Sequence, residues 1–193
     1  MSELRQKMFP YVVPKSWVEY AGESSLVSWA FSEQVRMVLV SEAVASVRNI
    51  RPEDLNSAGI SVDEAFSIAA ENLAKAWQAG AFEFGVAELQ DGVAVGMVRG
   101  NWMAPAGGLL LGNFHAALVE HFNVQEFAAV PANQETLIAF PPHEISLHSR
   151  SLASLVKEAF REHPKPISAA WLLLDGAWPR PFEGTELLSA RWT

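Results

Sequence analysis

The chain has no cysteine, which excludes disulfides, thiolate metal sites and cysteine nucleophiles. That fits a reducing compartment. Charge is also scarce. Only 19% of the 193 residues are charged, while half are apolar. Disorder needs the opposite balance, so a packed globule is expected. Basic residues are the scarcer kind: 14 Lys and Arg stand against 22 Asp and Glu, a formal net charge of −8. Such a surface repels phosphate backbones and argues against nucleic acid. It steers basic partners inward instead. No long apolar run is present. Ile167–Leu174 falls far short of a bilayer span, and MSELRQKMFP lacks the apolar stretch of a signal peptide. A cytoplasmic protein without membrane association is expected. Cofactor motifs are missing too, and no cofactor is expected.

What the chain does have is clearest in Arg48–Trp77. Arg51-Pro52-Glu53-Asp54-Leu55 has the look of a first helical turn, with Pro52 where a missing N–H does no harm. Gly59 stops that helix in a left-handed conformation. Ser61-Val62-Asp63-Glu64 then forms a capping box, and Ile60 and Ala65 form a staple. Phe66, Ala69, Ala70, Leu73 and Trp77 make an apolar stripe at helical spacing, ending before Gly80.

Strand signals surround this cassette. Ser25–Phe31 and Val35–Val47 read as a hairpin across Ser32-Glu33-Gln34, although Val38–Val47 also suits a helix. Phe82–Leu89 and Val93–Val98 flank Asp91-Gly92, a strong hairpin signal. Glu126–Val130 and Thr136–Phe140 form another pair around Pro131–Gln134. Ile167–Leu174 and Ala177–Phe182 flank Asp175-Gly176. Two more helices are expected. One starts near Asn113 with Phe114 and Leu118 inward. The other is capped by Ser149 or Ser151, with Leu152, Leu155, Val156, Ala159 and Phe160 inward. Arg99–Gly108 reads as a Gly/Pro-rich loop. The fold class is therefore α+β: a mostly antiparallel sheet built from hairpins, with three or so helices packed on it. One domain over residues 1–193 is expected, with an N-terminal arm (1–20) and a C-terminal tail (183–193).

The words Arg51-Pro-Glu-Asp-Leu, Gly59-Ile-Ser-Val-Asp-Glu-Ala and Ala70-Glu-Asn-Leu resemble the uncharacterised bacterial YtpQ-like family. Gly112-Asn-Phe-His-Ala-Ala-Leu, Glu135-Thr-Leu-Ile-Ala-Phe and Ser168–Trp178 resemble its later elements. The resemblance covers about residues 35–182. It implies a small cytosolic α+β protein and no particular activity.

Four groups of residues have chemistry to offer. His115, Glu120 and His121 share a helix, but a spacing of six turns the histidines about 240° apart, which does not suit one metal ion. Gly107, Gly108 and Gly112 precede a helix but lack the Lys-Ser/Thr of a phosphate loop. His143, Glu144 and His148 lie in a Pro-rich turn near Ser146, Ser149 and Ser151, so a loop hydrolase is one reading. No Gly-x-Ser-x-Gly elbow accompanies them. The last group is the loop tryptophans, Trp102 and Trp178, near Arg99 and Arg180. Trp and Arg are the composition of interface anchors, although Trp also often caps a core edge.

The leading expectation is a non-enzymatic binding protein. Trp102, Glu126, Glu135 and Trp178 would contact a protein partner, possibly a basic one, as in an immunity-type inhibitor of a basic toxin. The alternatives are a small hydrolase using His143, Glu144 and His148, or a structural homo-oligomer in which Leu187, Leu188 and Trp192 dock on a neighbour.

Overall fold

A computed structural model describes residues 3–43 and 46–183. Its first sheet is organised around β3 (Val35–Ala43), whose run Met37–Val40 is fully buried. On one side β3 pairs antiparallel with β1 (Met8–Pro14). On the other it pairs with β2 (Ser28–Ala30) and then with β4 (Ser46–Asn49). Val38 thus lies between Tyr11 and Ser28, and Val40 between Phe9 and Asn49. The hairpin expected around Ser32–Gln34 forms. Over the described residues of Val38–Val47 the helical option loses, because a run buried on both faces suits a strand with partners on both sides.

The stretch expected as an arm is instead integral to this sheet. After a short helix α1 (Glu3–Lys7), Met8–Val13 are all buried, and α2 (Lys15–Ala21) follows. Pro10 and Pro14 misled the reading. An edge strand tolerates proline, since its outward N–H groups have no ladder partner.

The helix cassette forms as expected, with one change of partner. α3 (Pro52–Ala58) stops at Gly59, φ 64°, and α4 (Val62–Gln78) follows. Ser61 Oγ accepts from the Glu64 N–H at 3.2 Å. The Glu64 carboxylate meets Arg5 at 2.8 Å, outside the cap. The reciprocal contact appears one helix earlier, where Asp54 accepts from the Arg51 N–H at 2.9 Å. Ala65, Ala69 and Leu73 are the buried stripe, while Ala70 is exposed and Phe66 and Trp77 lie at the edges.

The second sheet is antiparallel throughout, in the order β10-β9-β7-β8-β6-β5. β5 (Phe82–Glu88) and β6 (Ala94–Gly100) form the hairpin at Asp91-Gly92, with Gly92 at φ 83°. β7 (Phe127–Asn133) runs straight through Pro131 with a register shift, and turns at Gln134-Glu135 into β8 (Thr136–Phe140). β9 (Leu172–Leu174) and β10 (Arg180–Pro181) are shorter than expected.

The segment expected as a loop after Arg99 contains a buried helix, α5 (Ala104–Leu110), followed by α6 (Gly112–Phe122). Its glycines serve close packing. A Cβ on Gly108 would lie 2.3 Å from Leu137 Cδ2, and one on Gly107 would lie 2.3 Å from the Phe82 ring. α7 (Glu144–Arg161) lies on the sheet's other face, so helices cover both sides.

The α+β class holds. Among the described residues there are two sheets where one was expected, and seven α-helices where three or so were. One apolar cluster joins the sheets through residues such as Val12, Val38, Phe82, Phe127 and Leu137. Two long-range hydrogen bonds cross between them. Tyr11 Oη donates to Gln134 Oε1 at 3.1 Å, and Ser168 Oγ donates to Gln34 Oε1 at 3.3 Å. No helix among the described residues is long and apolar enough to cross a membrane.

Candidate functional site

A groove of about 410 Å³ lies where the two sheets meet. Pro10 and Met37 come from the first sheet, Phe66, Ser67 and Ala70 from α4, and Leu109 and Leu110 from the end of α5. The remaining wall is the β9–β10 turn, Gly176–Pro179. Trp178 stands in that wall, 49% exposed, with its ring 5.3 Å from buried Phe31. An indole supported from behind and open in front is a rigid apolar contact surface of low conformational cost.

The turn that presents Trp178 is pinned by its own polar groups. Asp175 accepts from the Ala177 N–H at 3.1 Å and from Arg180 Nη1 at 2.5 Å. The hydrogen bond from Arg180 is the main reason the Asp175 carboxyl titrates below its usual range. Gly176 sits at φ 84°, and a Cβ there would meet the His115 ring at 3.2 Å. His115 is itself held by the Gln125 carbonyl at 2.9 Å. Acidic residues adjoin the groove on two sides, with the half-exposed Arg180 following Pro179 in the wall. Asp63 and Glu71 are one turn either side of Ser67 on α4, both exposed. Glu126 precedes Phe127, which pairs with Leu174, so Glu126 and Asp175 extend from neighbouring strand ends.

A second gathering of polar groups lies on α7. His143, Glu144 and His148 are drawn together: His143 Nε2 is 3.3 Å from Glu144 Oε1, and His148 Nε2 is 3.4 Å from Glu144 Oε2. Asp91 joins from the β5–β6 turn, 2.9 Å from His148 Nδ1, and Ser151 Oγ donates to the same carboxylate oxygen at 2.6 Å. These two contacts, the serine's first, hold the Asp91 carboxyl below its usual range. The helix breaks at His148, φ −121° and ψ 26°, which lets the ring reach the turn. The break leaves a helix start beside Ser149, where one was expected, and an additional helical turn from Glu144 precedes it. A serine nucleophile needs a histidine to take its proton. Here the hydroxyl donates to a carboxylate, and both histidine nitrogens face carboxylates. The arrangement fastens a hairpin tip to a helix.

The four residues expected at a partner surface are divided. Trp178 and Glu126 share the groove end of the second sheet. Glu135 is at the opposite end of β7, its carboxylate 3.4 Å from His163 Nε2. Trp102 is half-buried, edge-on to Phe9 at 5.9 Å and to Tyr11 at 5.3 Å. His115 and His121 go separate ways, the second being exposed against Phe122. No group of three or more His, Asp or Glu among the described residues is arranged to hold a metal. Leu187, Leu188 and Trp192 lie outside the described residues. Sequence reasoning missed Asp91 as a partner of His148, since the two are 57 positions apart and Asp91-Gly92 already had a role as a turn.

No protein family model matches this chain, and searches of curated proteins and of solved structures find no match either.

Proposed function

We propose that the protein is a binding protein whose partner inserts a bulky apolar side chain, flanked by basic residues, into the groove beside Trp178. The observation that carries this reading is the half-exposed indole in the wall of an apolar groove. Asp63 and Glu71, one turn either side of Ser67, and Glu126, at the strand end beside Asp175, would supply the complement for the flanking cations, and the net charge of −8 steers a basic protein inward. An immunity-type inhibitor seated on a basic toxin is the most concrete form of this function. Trp102 would then serve the groove indirectly, by holding β1, and thus Pro10, in place.

The test is recovery of a partner from cells of the native source with the wild-type chain and with Trp178→Ala, followed by titration of the purified pair. Truncating an anchoring Trp typically costs about 2 kcal/mol or more. That corresponds to affinity falling by roughly 30-fold. Added salt should weaken binding as well. Equal recovery by wild type and Trp178→Ala overturns the reading. The hydrolase alternative is weakened by the hydrogen bonding of Ser151 and His148. It would be revived by turnover of ester or peptide substrates that Ser151→Ala and His148→Ala both abolish.

A further inference from the structure

The edges that have no strand partner among the described residues are not alike. β1 has Pro10 and Pro14, β10 has Pro181 and is two residues long, and β2 spans three. Proline and brevity are ordinary ways of blunting an edge. β5 is seven residues, FEFGVAE, with neither proline nor lysine, and it closes the second sheet at the far end from β10. Val86 is 44% exposed on it, and Gly85 is exposed beside it.

The hairpin ladder says which backbone groups this edge offers. The Leu89 N–H bonds the Val93 carbonyl at 2.8 Å. In an antiparallel ladder hydrogen-bonded pairs recur every second residue, so Ala87, Gly85 and Glu83 bond inward to β6. Phe84, Val86 and Glu88 therefore point their N–H and C=O groups outward.

We propose that β5 pairs antiparallel with β5 of a second copy, centred on Gly85, joining two six-stranded sheets into one. Outward groups must meet outward groups, and this register does that: Phe84 faces Val86 of the other copy, twice by symmetry. Aromatic and β-branched pairs of this kind stabilise sheets. Glu83 falls opposite Ala87 and Glu88 opposite Phe82, so no two carboxylates are opposed. A cavity of about 480 Å³ beside Phe84 and Val86, lined by Phe114, Ala117 and Leu118 of α6 with Glu120 and His121 also in its wall, gives the arriving side chains a mostly apolar bed. This surface is separate from the Trp178 groove, and either assignment can fail without the other.

The absence of native cysteine makes the test direct. Gly85 faces Gly85 across the symmetry axis as a non-hydrogen-bonded pair, with Cα atoms about 4.5 Å apart. That lies within the disulfide range. A Cβ at Gly85 meets nothing within 4 Å, so Gly85→Cys keeps the fold. Under mild oxidation Gly85→Cys should form a covalent dimer, while Glu83→Cys, two residues away and also exposed, should not cross-link. In sedimentation, Val86→Lys should raise the dimer dissociation constant by about tenfold or more. Salt should lower that constant, because two copies at −8 repel. A wild-type chain that sediments as a monomer at all concentrations overturns the proposal. Equal cross-linking of the two cysteine variants overturns the register.

Discussion

The Trp178 groove and the His148 cluster are built in opposite directions. At the groove, the polar groups of Asp175 and Arg180 are spent on each other, holding a turn so that an apolar face looks outward. At the cluster, an exposed set of polar side chains is turned on itself: His148 lies between Asp91 and Glu144, and Ser151 shares Asp91. Residue type alone leaves both open. Histidines, serine and carboxylates suggest chemistry, while a proline-flanked tryptophan suggests a core edge. What separates them is where each group's hydrogen-bonding capacity goes. Capacity used up internally makes a fastening, whereas apolar surface left over makes a place to bind.

The contrast can be broken most severely at the groove's floor. Gly108→Ala would ordinarily strengthen a helix, but here the new methyl strikes Leu137 and Val98. It should destabilise the fold by about 1–3 kcal/mol in denaturant titrations and displace Leu109 and Leu110 from the groove. A smaller effect is expected at the cluster from Asp91→Asn. The folded carboxyl titrates below its unfolded value, so the stabilisation is complete above the unfolded pKa and fades as pH falls through the lower, folded one. Wild type should therefore exceed Asp91→Asn in thermal midpoint at pH 7, and the gap should close on going well below pH 3.8. A gap that persists in acid would mean that the fastening is not electrostatic. The smallest change is expected for Ser151→Ala. It removes one hydrogen bond and leaves His148 on Asp91, so its midpoint should fall less than that of Asp91→Asn. A larger fall would give Ser151 a role beyond the fastening.

Much of the fold was legible because local signals and tertiary demands agree there. Asp91-Gly92 makes its hairpin, Gly59 its left-handed stop, and Ser61 its cap. The reading failed where one residue type has two uses. Gly107 and Gly108 suggested a loop, but what they permit is close approach of a helix to Phe82 and Leu137. Pro10 and Pro14 suggested an arm, but they occupy an edge strand. Of the site, His143, Glu144 and His148 were found as neighbours in sequence. Asp91 was invisible as their partner because nothing local announces a contact across 57 residues. Trp178 was visible by type, whereas its groove was not. The floor and walls come from β1, β3, α4 and α5, which only the packing of the two sheets brings together.

The two hydrogen bonds between the sheets set a timetable for a growing chain. Tyr11 must await Gln134, and Gln34 must await Ser168, 123 and 134 positions later. At about 5–20 residues per second of synthesis, each waits on the order of ten seconds. Throughout that interval the face of the first sheet that later meets the second lacks the cover of β7 and β8, and it is rich in Val, Met and aromatic side chains. Completion of the first sheet's packing therefore waits until β7 and the Ser168 segment have left the ribosome.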